Sequence, residues 1–208
     1  MRSKQEDPGR AKPSFIEQAR RAQIVEAAAE VVAEVGYART SFARIAAKAG
    51  ISKGVITYHF DSKDEILRLV ATEFFAEGWR YIEARIAAEE TAAGQVRAWI
   101  GSELEFFGAH RTRFLAMSDI IANHRTEDGS HAYASELAEE VDGLTEILRR
   151  GQHDGELRPF DARSVANIIL RCTTGVLETW ATNPETDLEA ESVVLLDFID
   201  HAIGRKHS

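Results

Sequence analysis

Residues 42–60 read FARIAAKAGISKGVITYHF, and the order of small and apolar residues in this stretch decides the fold. Ala46 is small where two helices would cross, and Gly50 lies where a turn would separate them. A larger side chain at position 46 would push the helices apart, and a Cβ at position 50 would resist the positive φ of a tight turn. The apolar residues that would face inward are Ile45, Ile51 and Ile56. The stretch therefore predicts a helix-turn-helix.

The rest of the sequence predicts helices almost throughout. Apolar residues recur at three- and four-residue steps over residues 15–35, and Gly36 ends that segment. Further helical patterns cover residues 41–49, 52–60, 62–89, 92–108, 110–125, 131–152, 161–182 and 187–204. The predicted breaks are Glu127-Asp128-Gly129, Asp154-Gly155 with Pro159, and Asn183-Pro184. No stretch alternates long enough to predict a strand.

These patterns predict an all-α fold of about nine helices. We expect a flexible arm over residues 1–14, a three-helix helix-turn-helix domain over residues 15–61 and a helical body over residues 62–208. Ser52 occupies a typical N-cap position before the third helix. Ser62 and Glu65 have the spacing of a reciprocal capping box at the start of the fourth helix.

Charge is distributed unevenly along the 208 residues, whose net charge of -9 would by itself argue against a nucleic-acid partner. Residues 1–60 contain ten Lys and Arg against six Asp and Glu, whereas residues 61–208 contain fifteen against twenty-eight. A basic N-terminal part can meet phosphates while the acidic remainder is repelled from a duplex. Chance variation of surface charge is the alternative interpretation.

The compartment is predicted from features that the sequence lacks. Cys172 is the single cysteine, and the N-terminal residues MRSKQEDPGRAKPS contain no apolar signal segment. No apolar stretch approaches the roughly 20 residues of a membrane helix. We therefore expect a cytoplasmic protein with no membrane partner.

Three motifs in residues 24–69 carry a resemblance to a known family. They are Ile51-Ser52-Lys53-Gly54, Tyr58-His59-Phe60 and Ser62-Lys63-Asp64-Glu65. At these positions the chain resembles the DNA-binding domain of the TetR family of one-component transcriptional regulators. The resemblance implies three DNA-binding helices, followed by a helical body that dimerises and takes up a small effector. The later helices match the family in number and length without any signature.

The resemblance implies DNA contacts for ten residues. Lys53, Gly54 and Val55 would approach base edges, where Lys53 suits guanine and Val55 suits a thymine methyl. The others would contact phosphates or support the recognition helix, and they are Ser41, Arg44, Ser52, Thr57, Tyr58, His59 and Lys63.

Two positions depart from the family pattern. Thr57 stands where an aromatic residue is common and would hydrogen-bond instead, and Asp61 places an acid where neutral or basic residues are usual. Asp61 would then help to cap the fourth helix. A histidine packed at a helix end and a solvated surface charge are the alternative interpretations of His59 and Arg44.

Large rings and a few polar residues share helix faces in the predicted body. One stripe contains Trp99, Glu103, Phe106 and His110, and the next helix carries Phe114, Met117, Ser118 and Ile121. Rings with sparse polar groups are typical of ligand pockets, and ordinary core packing is the alternative. The predicted effector-binding residues are Trp99, Glu103, Phe106, Phe107, His110, Met117, Ile121, Cys172 and Trp180. The rings favour a partly apolar ligand, and the acidic residues leave room for a cationic one.

The last two predicted helices are apolar on more than one face. A surface helix buries one stripe, so the second stripe needs a partner. We expect these helices to form a four-helix bundle with a second copy of the chain, with Gly175 allowing close approach. Deep burial within one subunit is the competing interpretation.

The predicted function is that of a repressor that binds an inverted-repeat operator on double-stranded DNA as a homodimer and releases it when a small effector binds. An activator or co-regulator on the same fold and a helical enzyme are the alternatives. Residues 50–54 formally match the G-x-S-x-G nucleophile elbow, but that motif requires a preceding strand. We expect no catalytic residue, no cofactor and no metal site, because the seven histidines are scattered singly.

Overall fold

The computed structural model describes residues 14–126, 128–183 and 185–205. Within those residues the chain forms nine α-helices and no strand, which confirms the all-α prediction. The helices are α1 Phe15–Val35, α2 Phe42–Ala49, α3 Lys53–His59, α4 Lys63–Ile86, α5 Ala92–Gly108, α6 Arg111–Asn123, α7 Ala134–His153, α8 Ala162–Thr182 and α9 Leu188–Ile203. Nearly all of the predicted arm lies outside the described residues, as do Glu127 and Pro184 of two predicted breaks.

The first three helices pack around the predicted apolar anchors. Gly50 caps α2 in the left-handed conformation, with φ 67° and ψ 31°. Ile45 and Ile56 are completely buried and Phe60 is 2% exposed, whereas Ile51 is half-buried. The left-handed turn at Gly50 thus sets α3 against α2 as the sequence predicts.

The cap of α4 differs from the prediction. The Ser62 hydroxyl accepts a hydrogen bond from the Glu65 N–H at 3.0 Å, but the Glu65 carboxylate does not return to the Ser62 backbone. It accepts instead from the Asp61 N–H and from the Arg21 guanidinium, each at 2.9 Å. The predicted reciprocal capping box is therefore wrong, because a charged donor from α1 competes for this carboxylate. Asp61 was expected to help cap α4, but it is the backbone N–H of Asp61 that takes part, by donating to the Glu65 carboxylate.

The body is arranged around α5, which packs against α4, α6, α7, α8 and α9. Two helices connect this body to the first three: α4 packs against α1, α5 and α6, and α6 packs against α1. The buried apolar side chains form one continuous core. A displacement of α4 or α6 in the body would therefore move residues that are in direct contact with α1. No helix among the described residues is long and apolar enough to cross a membrane.

Candidate nucleic-acid interface and ligand cavity

One face of α3 is directed to solvent. Lys53, Gly54 and Thr57 are exposed, and Tyr58 is 76% exposed, whereas Val55 is half-buried. The opposite face carries the buried anchor Ile56. The residues predicted to approach DNA thus project away from the core, on a helix held from behind.

Three interactions of Arg21 fix the end of α3. Its guanidinium lies 4.0 Å above the Phe60 ring, donates to the carbonyl oxygen of His59 and pairs with Glu65 at 2.9 Å. Partial burial alone would raise the pKa of Glu65, but the hydrogen bonds from Arg21 and the Asp61 backbone lower it. The recognition helix is therefore tied to both α1 and α4.

The cations of the helix-turn-helix fall into two groups. Lys48 pairs with Glu30 and Glu34 of α1, and these hydrogen bonds, that of Glu34 first, raise the pKa of Lys48. Arg44 and Lys53 have no acidic partner among the described residues. Only Arg44 and Lys53 of these three cations are therefore free to meet a phosphate or a base.

The remaining predicted DNA contacts surround α3. Ser41 caps α2 by accepting from the Arg44 N–H at 3.4 Å, whereas Ser52 occupies the N-cap of α3 without a side-chain hydrogen bond. The Thr57 hydroxyl donates to the Gly54 carbonyl at 3.1 Å. The half-buried His59 ring meets the Tyr58 ring edge-on, with centroids 4.9 Å apart.

The last of these residues, Lys63, begins α4. Its Nζ lies 4.7 Å from the centroid of the Tyr37 ring and 3.5 Å from the Tyr37 carbonyl oxygen. Lys63 therefore contacts the turn between α1 and α2 as well as the start of α4.

A cavity of about 500 Å³ lies in the body between α4, α5, α6, α7 and α8. Its apolar lining includes three aromatic rings, and its apolar residues are Phe75, Phe107, Phe114, Met117, Ile121, Ala122, Ala134, Leu137, Ala138 and Leu177. Its polar lining is Glu103, Ser118, His131, Glu140, Arg171, Thr174 and Glu178. This combination is the composition that small-molecule sites have.

Four of the nine predicted effector-binding residues line this cavity: Glu103, Phe107, Met117 and Ile121. The other five are Trp99, Phe106, His110, Cys172 and Trp180, and they do not line it. Trp99 packs edge-on against Trp79 with centroids 5.0 Å apart, and Phe106 and His110 pack against Phe74. The predicted stripe of α5 is thus divided, because rings of α4 cover its other three residues and only Glu103 of the stripe faces the cavity.

Sequence reasoning missed the charged residues that α7 and α8 contribute to the cavity. Glu140 lies among the acidic residues of α7, a pattern that normally marks a solvated face. Arg171 and Glu178 are seven residues apart and therefore lie on one face of α8. That spacing indicates a shared charged face of α8. Whether this face points into a cavity depends on how α8 packs against α5 and α7.

Glu103 is the most deeply buried ionisable group of the cavity lining. Its side chain is 6% exposed, and its Oε2 has no hydrogen-bond partner among the described residues. Burial and the nearby charge of Glu140 raise the pKa of Glu103 well above its usual value, and the adjacent Trp99 opposes this rise. Burial also raises the pKa of Glu140, with a smaller opposing effect of Arg171.

Comparison with known sequences identifies relatives of the chain. Residues 24–70 match the family described as bacterial regulatory proteins, tetR family. The fatty acid metabolism regulator protein of Bacillus subtilis (strain 168) is 27% identical over 192 residues, which cover 88% of this chain and 95% of that protein. The HTH-type transcriptional repressor KstR2 of Rhodococcus jostii (strain RHA1) is 29% identical over 166 residues, which cover 77% and 79%.

Solved structures share the whole architecture. The crystal structure of the transcriptional regulator FadR from Bacillus subtilis in complex with stearoyl-CoA has a TM-score of 0.73 at 25% identity, covering 86% of this chain and 96% of that one. The ketosteroid transcriptional regulator KstR2 of Mycobacterium tuberculosis has the same fold, with a TM-score of 0.77 at 20% identity and coverage of 95% and 100%. The family motif, the full-length relatives and the shared fold agree with the predicted resemblance. Residues 24–70 belong to the TetR family of bacterial regulatory proteins, and the whole chain is similar in sequence and fold to transcriptional regulators of that family.

Proposed function

We propose that this regulator is a ligand-responsive repressor, which binds an inverted-repeat operator as a homodimer and releases it when a small molecule occupies the body cavity. One observation carries the proposal: α4 and α6 both line the cavity and both contact the helix-turn-helix domain. We place that domain at residues 15–61 and the effector-binding and dimerisation domain at residues 62–208.

The surface of α3 supports a DNA-reading role. Lys53, Gly54 and Val55 form the first turn of the helix, the part that enters the major groove in this motif. Arg44, Tyr58 and the other predicted contacts would hold phosphates and fix the register. Such contacts release counterions, so affinity should fall steeply with salt.

The contacts of α6 provide a route between the two sites. Met117 and Ile121 of α6 line the cavity, and the carboxylate of Asp119 on the same helix accepts a hydrogen bond from the Tyr37 N–H at 2.6 Å. Tyr37 in turn contacts Lys63 at the start of α4. A ligand that displaces α6 or α4 would therefore shift the helix-turn-helix.

The proposed homodimer rests on an uncovered apolar surface of α8 and α9. In a single subunit Ile168 is 54% exposed, Val193 64%, Val194 65% and Phe198 58%. A Cβ added at Gly175 would meet nothing within 4 Å, so another helix has room to approach. A second copy related by a two-fold axis would bury these side chains in a four-helix bundle.

Dimerisation turns a local movement into release of DNA. The two recognition helices of a dimer must lie about 34–36 Å apart to enter successive major grooves. A ligand that binds more tightly to a dimer with a different separation of these helices shifts the equilibrium away from the DNA-binding form. The relatives support this interpretation, since KstR2 of Rhodococcus jostii is a transcriptional repressor and FadR of Bacillus subtilis binds stearoyl-CoA.

Selection of duplexes from a random DNA library tests the DNA-binding part of the proposal. We expect an enriched inverted repeat, and the double variant Lys53→Ala, Tyr58→Ala should bind it about 100-fold more weakly, since each lost contact costs about 1–3 kcal/mol. Lys48→Ala is the matched control, because the Lys48 ammonium is already paired with Glu30 and Glu34. Full sequence-selective affinity in the double variant would contradict the proposed interface.

Titration of the operator complex with a compound that binds the cavity tests the repressor part. Saturation should lower operator affinity by about 5- to 150-fold, the usual range of allosteric coupling. Unchanged affinity would contradict ligand-responsive release. Increased affinity would favour the alternative in which the ligand acts as a co-regulator that promotes DNA binding.

A further inference from the structure

The inner part of the cavity contains a carboxyl oxygen without a hydrogen-bond partner. Glu103 is 6% exposed, and its Oε2 accepts no hydrogen bond in the described part of the chain. Leaving such a group buried and unsatisfied costs free energy, which a folded protein rarely tolerates without a use. Because Glu103 also lines the cavity, a bound molecule can supply the missing donor.

The ionisable groups around Glu103 are predominantly acidic. Three carboxyl groups line the cavity, those of Glu103, Glu140 and Glu178, against one guanidinium, that of Arg171. Glu178 is engaged by the Ser118 hydroxyl at 3.1 Å. No ion pair joins Glu103 or Glu140 to any cation among residues 14–126, 128–183 and 185–205. Neither carboxyl group is therefore in an ion pair in the described structure, although the charge of Arg171 acts on Glu140 from a greater distance.

A second, smaller cleft of about 240 Å³ adjoins the cavity, since Phe75 and Glu140 line both. Its other lining residues are Trp79, Glu136, Glu139 and Gly143. Aromatic rings and carboxylates are the two groups that attract organic cations, by cation–π contact and by charge. The cleft thus repeats the chemistry of the cavity beside it.

We propose that the effector is an organic cation whose ammonium group lies between Glu103 and Glu140. Its apolar body would contact Phe107, Phe114 and Met117. The role of this site in releasing DNA rests on the proposed function, but its preference for a cationic ligand does not. An anionic ligand would meet three carboxyl groups and a single arginine, so the site selects against the anionic class that stearoyl-CoA represents for FadR of Bacillus subtilis.

Binding of a cation at this site is linked to proton release. Burial raises the pKa values of Glu103 and Glu140, and the charge of Glu140 raises that of Glu103 further, so protonated forms persist to higher pH in the ligand-free cavity. The other charged or titratable lining groups are Arg171 and Glu178 on α8 and His131 ahead of α7, while α4 and α6 contribute none. An ammonium ion binds more tightly to the deprotonated carboxylates than to the protonated acids. The affinity of the cavity for the ammonium ion therefore rises with pH.

Three probes on one skeleton test the proposal by calorimetry without DNA: 4-phenylbutylammonium, 4-phenylbutanol and 4-phenylbutyrate. We expect the ammonium probe to bind about tenfold or more tightly than the alcohol, as expected for pairing with a buried charge. The carboxylate probe should bind more weakly than both. Glu103→Gln preserves the shape of the side chain and should remove the preference for the ammonium probe while leaving the affinity for the alcohol unchanged.

A further readout and a control variant separate this charge role from a structural one. Repeating the titration in buffers of different ionisation enthalpy should reveal proton release with the ammonium probe and none with the alcohol. Glu83→Gln, an exposed residue of α4 outside the cavity, is the matched control and should leave all three affinities unchanged.

The outcomes distinguish this inference from the repressor proposal. Equal affinity for the three probes, no binding of the ammonium probe or an unchanged preference in Glu103→Gln would overturn the cationic site. None of these results depends on operator DNA. A selective cation site in a protein that fails to bind an inverted repeat would instead overturn the repressor proposal alone.

Discussion

The helix-turn-helix and the ligand cavity assemble their residues in different ways. The ten predicted DNA contacts all lie within residues 41–63, whereas the cavity lining extends from Phe75 on α4 to Glu178 on α8. The first surface arises from one turn between two short helices, and the second arises where five helices fail to fill the space between them. A site made within one motif can be read along the chain, and a site made between helices depends on how they pack.

The two regions also present opposite charge. The helix-turn-helix leaves Arg44 and Lys53 exposed and unpaired in the described structure, while the body directs Glu103 and Glu140 toward a cavity. According to the two proposals, one chain offers cations to DNA and carboxyl groups to a small molecule. Variants that alter one region and spare the other test whether this contrast holds.

The largest effect is expected from breaking the proposed dimer. Phe198→Glu places a charge in the uncovered apolar surface of α9, where Phe198 is 58% exposed. The protein should become monomeric in sedimentation, and operator affinity should fall by about 10²- to 10⁴-fold as the bivalent advantage is lost. Phe15→Glu is the control, because Phe15 is 85% exposed on α1 and should not change the oligomeric state. A monomer that still binds the inverted repeat tightly would contradict the dimer.

The next effect concerns the buried carboxyl group of the body. The folded-state pKa of Glu103 is raised above its unfolded value. The contribution of Glu103 to the free energy of unfolding is therefore fully present below the unfolded pKa and is lost as pH rises through the folded-state pKa. The ligand-free protein should therefore lose stability as pH rises above the ordinary titration range of a glutamate, by about 1.4 kcal/mol for each pKa unit. Urea denaturation of Glu103→Gln should show this pH dependence reduced.

Glu83→Gln is the control for that experiment, since Glu83 is exposed and should retain the pH dependence of the parent protein. If Glu103→Gln and the parent lose stability equally as pH rises, Glu103 does not carry a raised pKa.

Two glycines of the helix-turn-helix should respond in opposite directions. Gly50 has φ +67°, and a methyl group added there would meet nothing within 4 Å, so Gly50→Ala costs backbone strain alone, about 1 kcal/mol. Gly54 lies in α3, where a Cβ would meet the Ser52 hydroxyl at an ordinary 3.7 Å. Gly54→Ala should stabilise the DNA-free protein by about 0.8 kcal/mol, because alanine is the better helix former.

The same Gly54→Ala variant should bind the operator more weakly, since its methyl group would lie on the face that approaches the bases. Thermal denaturation and operator titration of both variants give the two readouts. A stabilised variant with undiminished operator affinity would show that the bases do not approach Gly54 closely.

The smallest effect distinguishes two serines at helix starts. Ser62 accepts a hydrogen bond from the Glu65 N–H, whereas Ser52 makes no side-chain cap bond to α3. Ser62→Ala should therefore cost about 0.5 kcal/mol or more, the lower end for a lost N-cap, and Ser52→Ala less. Equal losses in denaturant titrations would mean that Ser52 caps α3 in solution.

The correct predictions concern neighbours along the chain. The left-handed Gly50, the burial of Ile45 and Ile56 and the helix breaks follow from interactions within a few residues. The reciprocal box at Ser62 and Glu65 failed because Arg21, 44 residues away from Glu65, reached the same carboxylate. A motif of adjacent residues cannot report a competitor from a distant helix.

The division of the predicted α5 stripe in the body has a similar cause. Trp99, Phe106 and His110 share a stripe with Glu103, yet α4 and its rings cover them. The sequence pattern defines a face of α5 but does not state which neighbour lies on it. Four predicted residues line the cavity, and the charged residues of α7 and α8 were missed.

The amino-acid sequence was sufficient to predict the helices, the turn at Gly50 and the solvent-facing side of α3, because hydrogen bonds, caps and φ preferences act within a few residues. The meeting of Glu103 and Glu140 in a cavity became evident only in the folded chain, as did the contacts of α6 with both this cavity and Tyr37. Those relations depend on the close packing of helices far apart along the chain, where the shape of each neighbour decides which side chains meet and which spaces stay open.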